Sequence, residues 1–107
     1  MSRVDEKPPA GLSRRARAVW RDVLRDYSLE SRHLTVLESA LRTLDRLDAA
    51  RAIVDRDGMI VAGSKGQVRP HPMLAVERDC RISLARLWRE LDLDGASAPD
   101  ARLPRVG

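Results

Sequence analysis

At 107 residues the chain has room for one small domain, and a lone monomer of that size holds only a marginal core. Charged residues make up 34% and aromatics 3%, with no phenylalanine, so the core must come from Leu, Val, Ala and Met, which suits helices packed on helices. The net charge of +4 permits a polyanionic partner without requiring one, while one cysteine and two distant histidines exclude an intramolecular disulfide and a zinc-ligand spacing.

No apolar run approaches the length that spans a bilayer, and "MSRVDEKPPA" lacks the apolar segment of a secretory signal, so a cytosolic protein is expected. Residues 1–10 read as a disordered lead-in whose prolines stop at the first helix. Ser13 is the N-cap candidate, and Leu12, Ala16, Val19, Trp20, Val23, Leu24 and Tyr27 recur at helical spacing to form one apolar face. Residues 28–31 break the pattern. The next periodic run begins near Glu30 and continues without Gly or Pro to Gly58, a natural stop. At 1.5 Å per residue it extends on the order of 40 Å, too long for the recognition element of a helix-turn-helix. Its stripe of Leu34, Leu37, Ala40, Leu41, Leu44, Leu47 and Val54 has a repeat nearer 3.5 than 3.6 and needs a nearly parallel or antiparallel partner helix.

After Gly58, "MIVA", the turn chemistry of "GSKG" and "QVR" predict a small β-hairpin. Pro72 suits the first turn of another helix with His71 near its cap, and Met73, Val76, Cys80, Leu84, Leu87 and Leu91 line one side of it. The expected fold is mainly α: helix, long helix, small β-hairpin, helix, with disordered termini. The long helices should pack as an antiparallel pair through Leu37, Leu41, Leu44, Leu84, Leu87 and Leu91. Residues 11–95 are expected to form a single helical domain, and 96–107 a flexible C-terminal tail.

Catalytic chemistry has little support. "GSKG" lacks the GxxxxGK[ST] spacing and the helix that a phosphate loop needs, and no nucleophile elbow, HExxH or CxxC gives the Ser, His and Asp residues a job. Asp55 and Asp57 read as solvated helix charges, and Cys80 as a small buried hydrophobe. No catalytic residue, metal ligand or cofactor is assigned, and the expectation is a protein that is not an enzyme.

On a helical wheel Arg14, Arg17, Arg21 and Arg25 fall within a sector of roughly 80° opposite the apolar face, with Arg15 to one side. Amphipathicity alone places them outside. Residues 11–25 nevertheless carry five arginines against one acid, and Lys65 and Arg69 add to the excess from the hairpin. Such a stripe is a usual footprint for phosphate contacts, because guanidinium groups donate bidentate hydrogen bonds and release condensed counterions. Two readings therefore stand: a DNA-binding surface made of Arg14, Arg15, Arg17, Arg21, Arg25, Lys65 and Arg69, or the solvated back of an oligomeric helical protein-interaction or antitoxin-like module without direct DNA binding.

The order of features resembles the phage terminase small subunits of cos-type and related packaging systems. The matching stretches are "GLSRRARAVWRDVL" with Leu12, Trp20 and Leu24, "LESRHLTVLESAL" at the entry to the long helix, "DGMIVAGSKGQVRPHP" with Gly58, Gly66 and Pro72, and "LWRELDLDG". They span about residues 11–95. Similar proteins often have Asn where His71 stands and Leu-Gly-Leu where this chain has Leu91-Asp92-Leu93. The resemblance implies a phage- or prophage-encoded, non-catalytic, ring-forming adaptor in the host cytoplasm. It would bind double-stranded viral DNA and present it to the large terminase subunit, which carries the ATPase and nuclease. Val36, Ile53 and Ile82 lie off the main stripes and are candidates for contacts between copies. Arg102, Leu103 and Arg105 make the tail a candidate for binding the large subunit.

Overall fold

Ser13 starts the first helix with two jobs on one hydroxyl. In the computed structural model, which describes residues 7–93, helix α1 spans Arg14–Asp26. The Ser13 Oγ accepts the Ala16 N–H (3.0 Å) and donates to Asp45 Oδ1 (2.5 Å), while the Ser13 N–H donates to Asp45 Oδ2 (2.8 Å). A local N-cap is thereby bolted to a residue 32 positions away. The expected apolar face is the buried one: Ala16, Trp20, Val23 and Leu24 are buried. The lead-in expected to be disordered is held where it is described, since Ala10 offers its carbonyl to Arg42 Nη2 (3.1 Å).

Helix α2, Ser31–Asp57, is the long helix, with Leu37, Ala40, Leu41, Leu44, Leu47, Ala50 and Val54 buried. Its entry shows a core residue that the periodic reading passed over. Leu29, in the interruption between the helices, is 1% exposed. With Glu30 as the N-cap, Leu29 and Leu34 occupy the two positions of a hydrophobic staple, which sets the angle at which the chain enters the helix. Gly58 ends α2 with φ of +89°, a conformation open to glycine at little cost, and its N–H returns to the Val54 carbonyl (2.6 Å).

Strands β1 (Ile60–Ala62) and β2 (Val68–Pro70) pair antiparallel, with Ile60 opposite Pro70, Val61 opposite Arg69 and Ala62 opposite Val68. The "GSKG" segment is the turn of this hairpin. Gly63 donates to the Gln67 carbonyl, Gly66 donates to Gly63 from a φ of +82°, and the Lys65 N–H is taken by Gln67 Oε1 (3.1 Å).

Helix α3, Met73–Leu91, opens at Pro72, whose dihedrals are already helical and whose missing N–H costs nothing there. His71 supplies the cap: its Nδ1 accepts the Met73 N–H (3.0 Å), which leaves Nε2 as the donor to Asp57 Oδ2 (2.9 Å). The 8%-exposed imidazole therefore ties the last residue of α2 to the first turn of α3 across the base of the hairpin. With the helices joined this way, α3 runs back along α2, so that Arg51 meets Glu77 (3.3 Å) and Leu91 reaches the cluster of Leu37 and Leu41. The expected seam holds for Leu37, Leu41, Leu44, Leu84 and Leu91. Leu87 is different: it is half-buried and lies outside that cluster, because the helix presents Leu84 and Leu91 to α2 and Leu87 beside them. Cys80 is buried as a small hydrophobe.

These lengths divide the molecule. At 1.5 Å per residue, α1 covers roughly 20 Å of an α2 that is roughly 40 Å long, and the hydrogen bonds between the start of α1 and α2 reach as far as Asp45 and Asp48. Beyond that point α2 and the first half of α3 continue as a two-helix arm, closed by Leu47, Ala50, Val54 and Cys80 and tipped by the hairpin.

Candidate nucleic-acid interface

The polar face of α1 carries its arginines because the opposite face is needed for the core, and the structure then sorts them by what each one touches. Arg15 lies at the junction with α2, where its Nη1 donates to both carboxylate oxygens of Asp48 (2.9 and 3.0 Å). Arg25 is neutralised within its own helix by Asp22 (3.1 Å) and Asp26 (3.3 Å), and these partners hold its proton more tightly than usual, the Asp26 hydrogen bond first. Arg17 places one N–H on the Leu12 carbonyl (3.1 Å), leaving the rest of its fork and its full charge outward. Arg14 and Arg21 are exposed and have no hydrogen bond or ion pair among the described residues.

Positive charge is thus uncompensated at Arg14, Arg17 and Arg21, on one side of the helix and over about 10 Å of its length. A duplex carries one phosphate per roughly 1.7 Å of axis, so a strip of that length can face several at once.

Lys65 and Arg69 are also exposed and without an acidic partner among the described residues, but they belong to the hairpin at the far end of the arm. They form no single patch with the α1 stripe. Arg69 instead meets Arg78 across a concavity of about 540 Å³ walled by Pro70, Pro72, Leu74 and Ala75, at the positive end of α3. Sequence reading missed Arg78, and with it the fact that α3 has four arginines against three acids. The signal was its place one and a half turns after Pro72, where a helix N-terminus and a strand end converge.

At the base of the hairpin, Asp57 accepts from Arg56 Nε (2.7 Å) and Nη2 (3.0 Å) as well as from His71. The Arg56 hydrogen bond, followed by that of His71, holds the Asp57 carboxyl well below the usual carboxylate range. Among the described residues no group of three or more His, Cys, Asp or Glu side chains is placed to hold a metal ion, and no helix is long and apolar enough to cross a membrane.

The residues expected at contacts between copies have three different settings. Val36 is half-buried against the main core, Ile53 is half-buried on the arm, and Ile82 is 52% exposed on α3. Larger exposures occur where they were not expected, on the hairpin, at Met59 (66%), Ile60 (63%) and Val68 (71%). The available signal was the apolar run "MIVA" in a two-stranded ribbon, because period two puts Ile60, Ala62, Val68 and Pro70 on one face of it. Arg102, Leu103 and Arg105 lie outside the described residues.

No curated protein and no solved structure matches the chain. A family profile described as "Phage terminase, small subunit" matches residues 16–104, most of the chain and all of the elements described above except the first two residues of α1. The chain belongs to the phage terminase small-subunit family, with a role in viral DNA packaging.

Proposed function

We propose that the protein is a non-catalytic, homo-oligomeric packaging adaptor of the host cytoplasm that binds double-stranded phage DNA through the outer face of α1 and brings it to the large terminase subunit. The observation that carries the DNA-binding part is the uncompensated charge of Arg14, Arg17 and Arg21 on one exposed helix face. Arg15 and Arg25 contribute less, since each would have to leave a carboxylate to meet a phosphate. Backbone contacts supply most of the affinity in this reading, and residues 97–107, with Arg102, Leu103 and Arg105, contact the large subunit.

The test is a salt titration of duplex DNA binding by the wild type and by Arg17→Glu combined with Arg21→Glu. Each lost phosphate contact should lower the slope of log K against log salt by about 0.9, so the double variant should bind more weakly and with a slope shallower by roughly 2. Both side chains are exposed, so circular dichroism should show unchanged helix content. Equal binding by the variant would make the stripe a solvated face and favour the protein-interaction module, which the exposed apolar hairpin also suits.

A further inference from the structure

Two apolar surfaces of this chain are left uncovered by the described residues of the single copy, and they have opposite shapes. One is the hairpin ribbon, whose Ile60, Ala62, Val68 and Pro70 share a face and are all exposed. The other is a groove of about 390 Å³ where α1, α2 and α3 meet, walled by Val19, Leu41, Leu44, Leu84, Ala85 and Trp88. We propose that the hairpin of one copy seats its Ile60 and Val68 face in this groove of a second copy, so that chains associate head to tail. The proposal rests on the homo-oligomeric part of the function above and adds which surfaces meet.

A chain cannot seat its own hairpin in its own groove. Leu44 and Asp57 are 13 residues apart on one continuous helix, a separation of roughly 20 Å, and His71 anchors the hairpin at the far end through Asp57. Area favours a second copy over a partner on one surface alone. Ile60 and Val68, each about two-thirds exposed, amount with Ala62 and Pro70 to a patch of at most a few hundred Å², short of the roughly 800 Å² per partner that a stable contact uses. Head-to-tail association engages both the hairpin and the groove of every internal chain, so each copy buries two such surfaces rather than one. Two hairpins meeting face to face would leave both grooves and Trp88, 39% exposed, uncovered.

One opposite-charge pairing is available across the contact, although the hairpin turn also carries Lys65, exposed and without an acidic partner among the described residues. Asp55, beside the base of the hairpin, has no cationic partner among the described residues, and Arg86 and Arg89, on either side of Trp88, have no acidic one. Arg69 lies on the opposite face of the ribbon from Ile60 and Val68, so seating that face does not bury its guanidinium.

The full-length chain in a Cys80→Ala background provides the test. Chains carrying Val68→Cys are mixed with chains carrying Ala85→Cys and treated with a short bis-maleimide. Cross-linking is expected in the mixture and in neither variant alone, because the contact joins unlike surfaces. Separately, Val68→Asp should weaken self-association at least about tenfold by light scattering, with helix content unchanged, since Val68 is exposed in the single copy. Cross-linking of Val68→Cys chains to one another, or an undiminished oligomer with Val68→Asp, overturns the hairpin-in-groove contact while leaving homo-oligomerisation standing. A monomeric wild type at tens of micromolar overturns both, and would mean that the groove serves another protein.

Discussion

Asp57 accepts hydrogen bonds from two sides, Arg56 next to it in the chain and His71 from across the hairpin. Both favour the ionised carboxylate, so its folded-state pKa lies below the ordinary 3.8. A depressed carboxyl pKa stabilises the fold at pH above the unfolded value, and that contribution fades as pH falls through the range below 3.8. Asp57→Asn should therefore melt at a lower temperature than the wild type near neutral pH. The difference should shrink progressively as the pH is lowered below 3.8. A gap that stays constant down to about pH 2 would mean that shape rather than charge matters at this position. His71 shows the same economy of groups: a neutral ring satisfies both contacts, with Nε2 donating to Asp57 and Nδ1 accepting from Met73.

At the scale of the element, each helix is delimited by a local device and then placed by a distant one. The cap of α1 is local to Ser13, but Asp45 sets the position of α1 along α2. The end of α3 is less well served. Its C-cap, Asp92, has φ of +47°, the left-handed conformation that glycine adopts more readily than any residue with a Cβ. Asp92→Gly should stabilise the protein by about 0.5–1 kcal/mol, read as a rise in melting temperature of several degrees with no change in DNA affinity. An unchanged or lower melting temperature would show that the Asp92 side chain has a role that its backbone strain conceals.

At the scale of the whole molecule, the mismatch between a short α1 and a long α2 decides what the protein can do. The three-helix body has a closed core around Trp20, Leu24, Leu37 and Leu41, whereas the arm is two helices thick and carries its largest exposed apolar side chains at the tip. In the proposed head-to-tail contact, burial by a neighbouring copy would add to the stability of such an arm, and mass action would then link folding to protein concentration. The melting temperature should therefore rise over a hundredfold increase in concentration, measured by calorimetry or circular dichroism. A concentration-independent value would show that the arm is stable uncovered.

The amino-acid sequence by itself determined the succession of elements. Helical periodicity, the Ser13 cap, the Gly58 stop, the turn glycines and Pro72 act through neighbours within a turn or two, so the order of three helices and a hairpin was legible, as was the apolar face of α1. So was the arginine face, because helical phase follows directly from spacing. What only the tertiary structure decided is which of those charges remain available. Arg15 and Asp48 are 33 residues apart, and nothing in their spacing says that they meet. The same holds for His71 and Asp57, for the separation of Lys65 and Arg69 from the α1 stripe, and for the exposure of Ile60 and Val68. Alternation shows that two faces of a ribbon differ, but whether a face is buried depends on what the rest of the chain brings against it, and here α1 ends its reach along α2 before the hairpin begins.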